Sequence, residues 1–585
     1  MESETKSKAP IVNCHTHVFT GDHVPPFLAK TFLPWPLYYL FPMTALVGFL
    51  RWYDQTFGKW KYQYWFKRFV QIRYKVKMFF KRYFLFHLVS LLVGLLLTLQ
   101  VFFFLYELIL MIAGSTSASA ANAIEKSEVF FERNYLLFPA PGVWLNVLFT
   151  ILLMLFFPSG RNLILFIFKG IFSFLKALPG KDSTALIKRY LLIGQVSKLK
   201  YQHNIFSTLA TQYPEGSKFI VLPMDMEYMG AGNVPVSYYT QMADLARIKS
   251  SKIFKDIILP FVFVDPRRIQ CDPQYFDMKV HGPDSFTVDH KCFVKKYIEG
   301  HQFSGFKIYP ALGYYPFEAP LLKLWKYAVD NDIPITTHCI RGTIFYRGSK
   351  IKEWDTHPIF EQVYESNRYE SLLLPETKNK DFCNNFTHPL NYLVLLEEKL
   401  LRKLVGKSDA DIKLLYGYTN DSTPLLHNLS KLKICFAHFG GDDEWTKYLE
   451  AEKNDHSTQL RKRPNRGIEF LTHPNGSPSP GKLEQIWKTV DWYSIICSMI
   501  LQYENVYADI SYILQNQSIT PLLKQTLHSE GLQKKVLYGT DYYVVRNHKS
   551  DQQMLHELMA GLSSFEFDMI ARENPGKFLS NSCFL

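Results

Sequence analysis

Residues 11–17 read Ile11-Val12-Asn13-Cys14-His15-Thr16-His17, a short apolar run ending in two histidines one residue apart. Side chains at i and i+2 of a β-strand share a face, so the spacing predicts that His15 and His17 aim both imidazoles into one site. A lone His-x-His is common. Its meaning depends on whether further ligands stand at the ends of further strands. Seven comparable stretches follow, at 219–224, 257–264, 305–309, 333–338, 433–438, 505–511 and 535–541.

These near-continuous apolar runs alternate with helix-length segments, the pattern of a parallel sheet buried on both faces. Eight such units predict an α/β fold, a (β/α)8 TIM barrel with an inserted transmembrane helical hairpin. Residues 1–24 would carry the first strand, 25–185 the membrane-associated insertion and 186–585 the remainder of the barrel. A second insertion, 339–385, follows the fifth strand and is expected to cover the same face.

The hairpin is read from charge and length. A basic, aromatic block, with Lys59, Lys61, Lys67, Arg68, Arg73, Lys75, Lys77 and Lys81 opposed only by Asp54, precedes an uncharged run from Leu88 to Tyr106 that continues past Glu107 to Ala113. A second uncharged run covers 136–157. Both lack amphipathic periodicity over lengths that core helices seldom reach, which predicts transmembrane helices near 88–113 and 136–157. The stretch 163–175, interrupted by Lys169, is expected to extend the second span or to lie along the interface. Basic residues recur after the second run, at Arg161, Lys169, Lys176, Lys181, Lys188 and Arg189, whereas the loop between the runs has only Lys126 and Arg133. The positive-inside rule then puts both flanks, and the catalytic domain, in the cytoplasm, anchored to the inner or plasma membrane with the lipid bilayer as a partner.

The formal charge of +13 suits nucleic acid in principle. Its basic residues, however, cluster beside the apolar runs, so nucleic-acid binding is not expected. Residues 1–10 are polar, which predicts no cleavable signal peptide. Eight cysteines show no C-x-x-C pair and no disulfide-framework spacing, as buried thiols in a reducing compartment do.

Catalytic groups of such a barrel stand at the carboxyl ends of its strands. Read there, the chain offers His15 and His17, then Lys307, His338, His438 and Asp541. Three imidazoles and a carboxylate suit one divalent metal, zinc first, with one position left open. His438 is the candidate for moving protons.

At these residues the chain resembles the amidohydrolase superfamily, in the branch that includes aminocarboxymuconate-semialdehyde decarboxylase. The matching segments begin with 13–19, 305–310 and Thr337-His338. They continue through Phe386-Thr387-His388-Pro389, 436–441, 506–511 and Gly539-Thr540-Asp541, and a closing helix matches at 574–579. The resemblance implies a metal held by His15, His17, His338 and Asp541, with His438 and Asp541 catalytic. It also allows a carbamylated Lys307 and a second metal, although a lysine paired with a carboxylate or substrate is the favoured reading. Arg341 is a candidate clamp for a substrate carboxylate, or else a solvated loop residue. His388 is expected to cap or pack a helix, and Asp509 to orient a ligand.

The leading expectation is a membrane-anchored hydrolase of an amide, ester or lactone bond in a small-molecule substrate. A non-oxidative decarboxylase uses the same residues, and a catalytically inactive membrane scaffold is the reading from a different class. Substrate and oligomeric state are not written in the sequence.

Overall fold

The computed structural model describes residues 9–33, 35–55, 63–113, 118–137, 142–156, 181–342, 344–363, 368–374, 379–450, 456–472, 481–544 and 549–579. The chain divides into two compact units, Met1–Arg51 with Ala185–Leu585, and Trp52–Thr184.

In the first unit eight short strands run parallel: β1 Val12–Thr16, β2 Lys218–Val221, β3 Ile258–Pro260 continuing as Val262–Phe263, β4 Phe306–Ile308, β5 Ile335–His338, β6 Ile434–Ala437, β7 Val506–Asp509 and β8 Val536–Leu537. Each pairs with its neighbour in order from β1 to β8. The ring closes because the Cys14 amide donates to the Tyr538 carbonyl at 2.8 Å and the Asp541 amide to that of His15 at 2.9 Å. Thr16 also forms a parallel bridge with Tyr542. Closure removes the sheet edges and satisfies backbone groups that no solvent reaches.

Every residue of β1, β4, β5, β6 and β7 is buried, which is why these strands read as apolar runs without alternation. One set of side chains, including Val12, Cys14, Ile220, Leu259, Cys435 and Leu537, forms a separate cluster together with Phe578 and Leu579. The much larger set joins the strands to the surrounding helices. Strict alternation from Val12 and Cys14 would turn His15 away from the side they share. The pairing of β1 with β2 shifts register between Asn13 and Thr16, the kind of irregularity that re-aims side chains beside active sites.

The stretch after β5 folds as an antiparallel hairpin, Thr356–Val363 with Tyr369–Leu373, followed by a helix Asn379–Thr387. A second hairpin, Met278–Gly282 with Ser285–Val288, had no counterpart in the apolar pattern because its residues are largely half-buried or exposed. All seven described cysteines are free, and only Cys271 among them is exposed.

The second unit contains helices Tyr64–Arg82, Phe84–Ala113, Ala118–Arg133 and Val143–Phe156. The second and fourth of these share a buried hydrogen bond in which the Gln100 amide donates to Asn146 at 3.3 Å. Only one helix among the described residues, Phe84–Tyr106, is long and apolar enough to cross a bilayer. Of the second expected span, 136–157, the described residues include the helix Val143–Phe156, while 138–141 and 157 lie outside them. Among the described residues a second membrane span is not seen. Residues 163–175 lie outside the described ones.

Candidate metal centre

The carboxyl ends of the strands carry a buried histidine–aspartate cluster. His15 Nε2 and His17 Nε2 lie 3.3 Å apart, and Asp541 Oδ1 stands 3.2 Å from His17 Nε2 and 3.7 Å from His15 Nε2. The far side of each ring fixes its proton. His15 Nδ1 faces the Asp509 carboxylate at 2.9 Å and His17 Nδ1 the Leu222 carbonyl at 2.7 Å, and neither acceptor can donate. Both rings therefore carry the proton on Nδ1 and turn a bare Nε2 lone pair inward. Two lone pairs and a carboxylate oxygen then converge with no hydrogen among them, an arrangement that calls for a cation. Burial holds the His15 imidazolium well below its usual range, with the charge of Lys307 adding to the effect, so a proton is a poor occupant. Two imidazoles and a carboxylate, without a thiolate, fit a divalent transition metal such as zinc.

Asp509, at the end of β7, ties this cluster to a second one. Its Oδ2 accepts from His15, while Oδ1 accepts from the backbone amides of His438 and Ser511 at 3.0 Å each and from the Ser511 hydroxyl. Ser511 Oγ, having given its proton to Asp509, accepts from His438 Nδ1 at 2.9 Å. His438 Nε2 is left as an acceptor, 3.2 Å from His338 Nδ1. Burial, with the neighbouring His15 ring next, pushes the His438 imidazolium down to about 3, so this ring is neutral at physiological pH. His15, His438 and Asp509 also stand close enough to suggest a second ion, but hydrogen bonds already account for their contacts.

His338 stacks flat on Tyr309 with centroids 3.8 Å apart, and its Nε2 is buried without a hydrogen-bond partner. Together with His17, His438 and Asp541 it lines a cavity of about 50 Å³. The structure thus places His15, His17 and Asp541 in mutual contact and His338 and His438 beside them. Lys307 is fully buried with an unpartnered Nζ, and desolvation pushes its pKa down to about 8 against the pull of Asp509 and Asp541. It does not line the cavity. Arg341 is set apart as well: half-exposed, it lies over Trp492 and 3.5 Å from Glu444. His388 accepts from the Leu390 amide at 3.2 Å and stacks on Trp487, the capping and packing role expected of it.

Sequence reasoning missed Ser511 as the proton anchor of His438, and it missed Arg189, which lines the cavity from helix Lys181–Val196. It also missed the backbone that presents these groups. His438, Phe439, Tyr512 and Asp541 all adopt positive φ, between 44° and 63°, which costs of order 1 kcal/mol or more per non-glycine residue. Left-handed residues therefore gather at the ends of β6, β7 and β8, where the chain must turn while its side chain still faces inward. Gly539 marks another constraint. A Cβ built there would lie 2.9 Å from the His15 Cβ and 3.1 Å from that of Ser511. Gly539→Ala is expected to lower stability by about 1–3 kcal/mol through overpacking, and to weaken metal retention by displacing His15. Thermal unfolding with metal analysis would read both effects, and a wild-type melting curve with full metal content would contradict the expectation.

No family model and no curated protein matches this chain. Among solved structures, an uncharacterized TIM-barrel protein from Bordetella bronchiseptica aligns at 10% identity over 66% of this chain and 84% of its own, with a TM-score of 0.31. An Amidohydrolase 2 from Bifidobacterium longum subsp. infantis aligns at 10% identity over 62% and 79%, with a TM-score of 0.25. An amidohydrolase from Burkholderia multivorans with bound zinc aligns at 9% identity over 62% and 82%, with a TM-score of 0.26. Likeness this slight leaves the chemistry to be argued from the side chains.

Proposed function

We propose that the chain is a metal-dependent hydrolase that cleaves an amide, ester or lactone bond, with the catalytic unit in the cytoplasm and the 52–184 unit as its membrane anchor. The observation that carries the hydrolase reading is the convergence of the His15 and His17 Nε2 lone pairs on Asp541 Oδ1. His15, His17 and Asp541 would hold one divalent metal, with His338 Nε2 as the remaining donor facing the same cavity.

A metal bound there supplies Lewis acidity toward a carbonyl oxygen and makes water more acidic. Asp541, accepting a proton at its carboxylate, and His438, accepting one at Nε2, provide two bases on the cavity wall. Ser511 keeps His438 in the tautomer that can accept, and Asp509 keeps His15 in the tautomer that can ligate. The apolar wall, with Phe19, Met224, Met226 and Ile344, limits access of bulk water.

The same groups would serve a decarboxylase, which would release carbon dioxide from a carboxylated substrate. The presence of two proton acceptors, the Asp541 carboxylate and the neutral His438 ring, favours hydrolysis. Support for the membrane anchor comes from the Phe84–Tyr106 helix with its exposed apolar side chains and from the basic helix Tyr64–Arg82 before it. Metal analysis by mass spectrometry on the detergent-purified full chain tests the central claim. About one zinc-class ion per chain is expected, and a folded preparation that takes up none after incubation with Zn²⁺ would remove the enzyme reading.

A further inference from the structure

The cavity beside the cluster contains one feature that metal chemistry does not use. Arg189, on the helix Lys181–Val196, lines it together with His17, Tyr309 and Asp541. Among the described residues no hydrogen bond or ion pair engages its guanidinium. Other arginines near the carboxyl ends of the strands are committed: Arg267 to Asp265 at 2.6 Å, Arg268 to Asp225 at 2.6 Å, and Arg51 to Asp22 at 2.7 Å. A partly buried guanidinium with five donors and no acceptor is costly unless something accepts from it.

We infer that Arg189 is the specificity-determining residue of this site, and that it receives a carboxylate on a small substrate whose remaining body is apolar. Three observations converge on this class. The cation stands on the wall of the same cavity as His17 and Asp541. The neighbouring wall is apolar, with Phe19, Ile193, Met224, Met226 and Ile344 facing the same space. Charge calls for an anion, since Lys307 and Arg189 balance Asp509 and Asp541, and a divalent metal would leave two positive charges in excess. One guanidinium matches one carboxylate in a planar fork, whereas a phosphate dianion draws more than one cation.

The inference rests on the proposed hydrolase only in taking this cavity as the reaction site. It replaces Arg341 with Arg189 as the clamp, because Arg341 lies over Trp492 and does not line the cavity.

The test uses the full-length, zinc-incubated protein in detergent micelles, with butyrate and its uncharged isostere butyramide as probes in calorimetric titrations. Butyrate should bind at least tenfold tighter than butyramide to the wild type. Arg189→Met should weaken butyrate by about ten- to a hundredfold, the usual worth of a charge-assisted pair. Butyramide affinity and zinc content should remain unchanged, which establishes that the variant is folded. Arg189→Lys should recover part of the loss, and Arg341→Ala should cause none. Equal binding of the two probes by the wild type, no binding of butyrate, or undiminished butyrate binding by Arg189→Met would each overturn the assignment. Zinc content is measured on the same samples. A protein that holds no metal yet binds butyrate through Arg189 would sink the hydrolase reading and leave this one standing.

Discussion

Substituting both histidines of the opening strand, His15→Ala with His17→Ala, should strip the protein of its metal and reduce turnover by at least about three orders of magnitude. The expectation follows from what the two rings lose. Each presents a bare Nε2 because its Nδ1 proton is committed elsewhere, and the 3.3 Å between the two nitrogens leaves no space for a substitute donor. Asp541 and His338 would remain, one carboxylate and one imidazole, too few to hold a transition metal against a chelator. The fold should survive, since removing two desolvated rings that press lone pair against lone pair relieves repulsion and offsets part of the cavity left behind. Zinc retention after dialysis against a chelator, together with circular dichroism, would check the prediction. A double variant that keeps one metal per chain would show that the ligands lie elsewhere.

Asp509→Asn should cost about ten- to a hundredfold in metal affinity although Asp509 faces no metal position. Its carboxylate receives only donors: the His15 ring, two backbone amides, the Ser511 hydroxyl and the Cys435 thiol. An asparagine must turn its amino group toward one side of that ring of donors. Turned toward His15, it forces the ring into the other tautomer, so that Nε2 carries a proton where a ligand lone pair should be. Turned toward His438 and Ser511, it sets N–H against N–H at a buried site, costing about 1–3 kcal/mol of stability. The outcome is visible as a weaker zinc dissociation constant in chelator competition, a lower melting temperature, or both. Wild-type values for both quantities would mean that Asp509 does not set the tautomers.

The barrel was legible because a parallel sheet buried on both faces leaves its apolar runs intact in the sequence, and the residues proposed to hold the metal fall at the ends of those runs. That rule offered His15, His17, Lys307, His338, His438 and Asp541, and the family resemblance supplied the ligand set among them. Hydrogen-bond wiring was not legible in the same way. Ser511 and the Leu222 carbonyl are ordinary residues whose role depends on a partner far away in the chain. Arg341 was weighed as a clamp or a solvated loop residue because it follows His338 closely, and a loop residue three positions past a strand has left the barrel axis. Arg189 was visible too, and was counted among the basic residues flanking an apolar run. One charge can serve topology or recognition, and composition does not separate the two. The two hairpins carry no continuous apolar stretch, so periodicity passed over them.

The seam between β1 and β8 has a temporal consequence. Asn13 and Thr540, hydrogen-bonded across it at 2.8 Å, are 527 residues apart in the chain. At ribosomal speeds the first strand waits on the order of a minute for its neighbour to emerge. Until then its histidines belong to an open sheet, and the carboxylate they converge on has not been synthesised. Loading of the proposed metal would therefore be a late event, after release of nearly the whole chain, and a nascent protein caught short of β8 would have no finished site in which to sequester zinc. An ion bound there would act as a receipt for a barrel already closed, and any machinery that supplied it would meet a folded customer rather than a growing one.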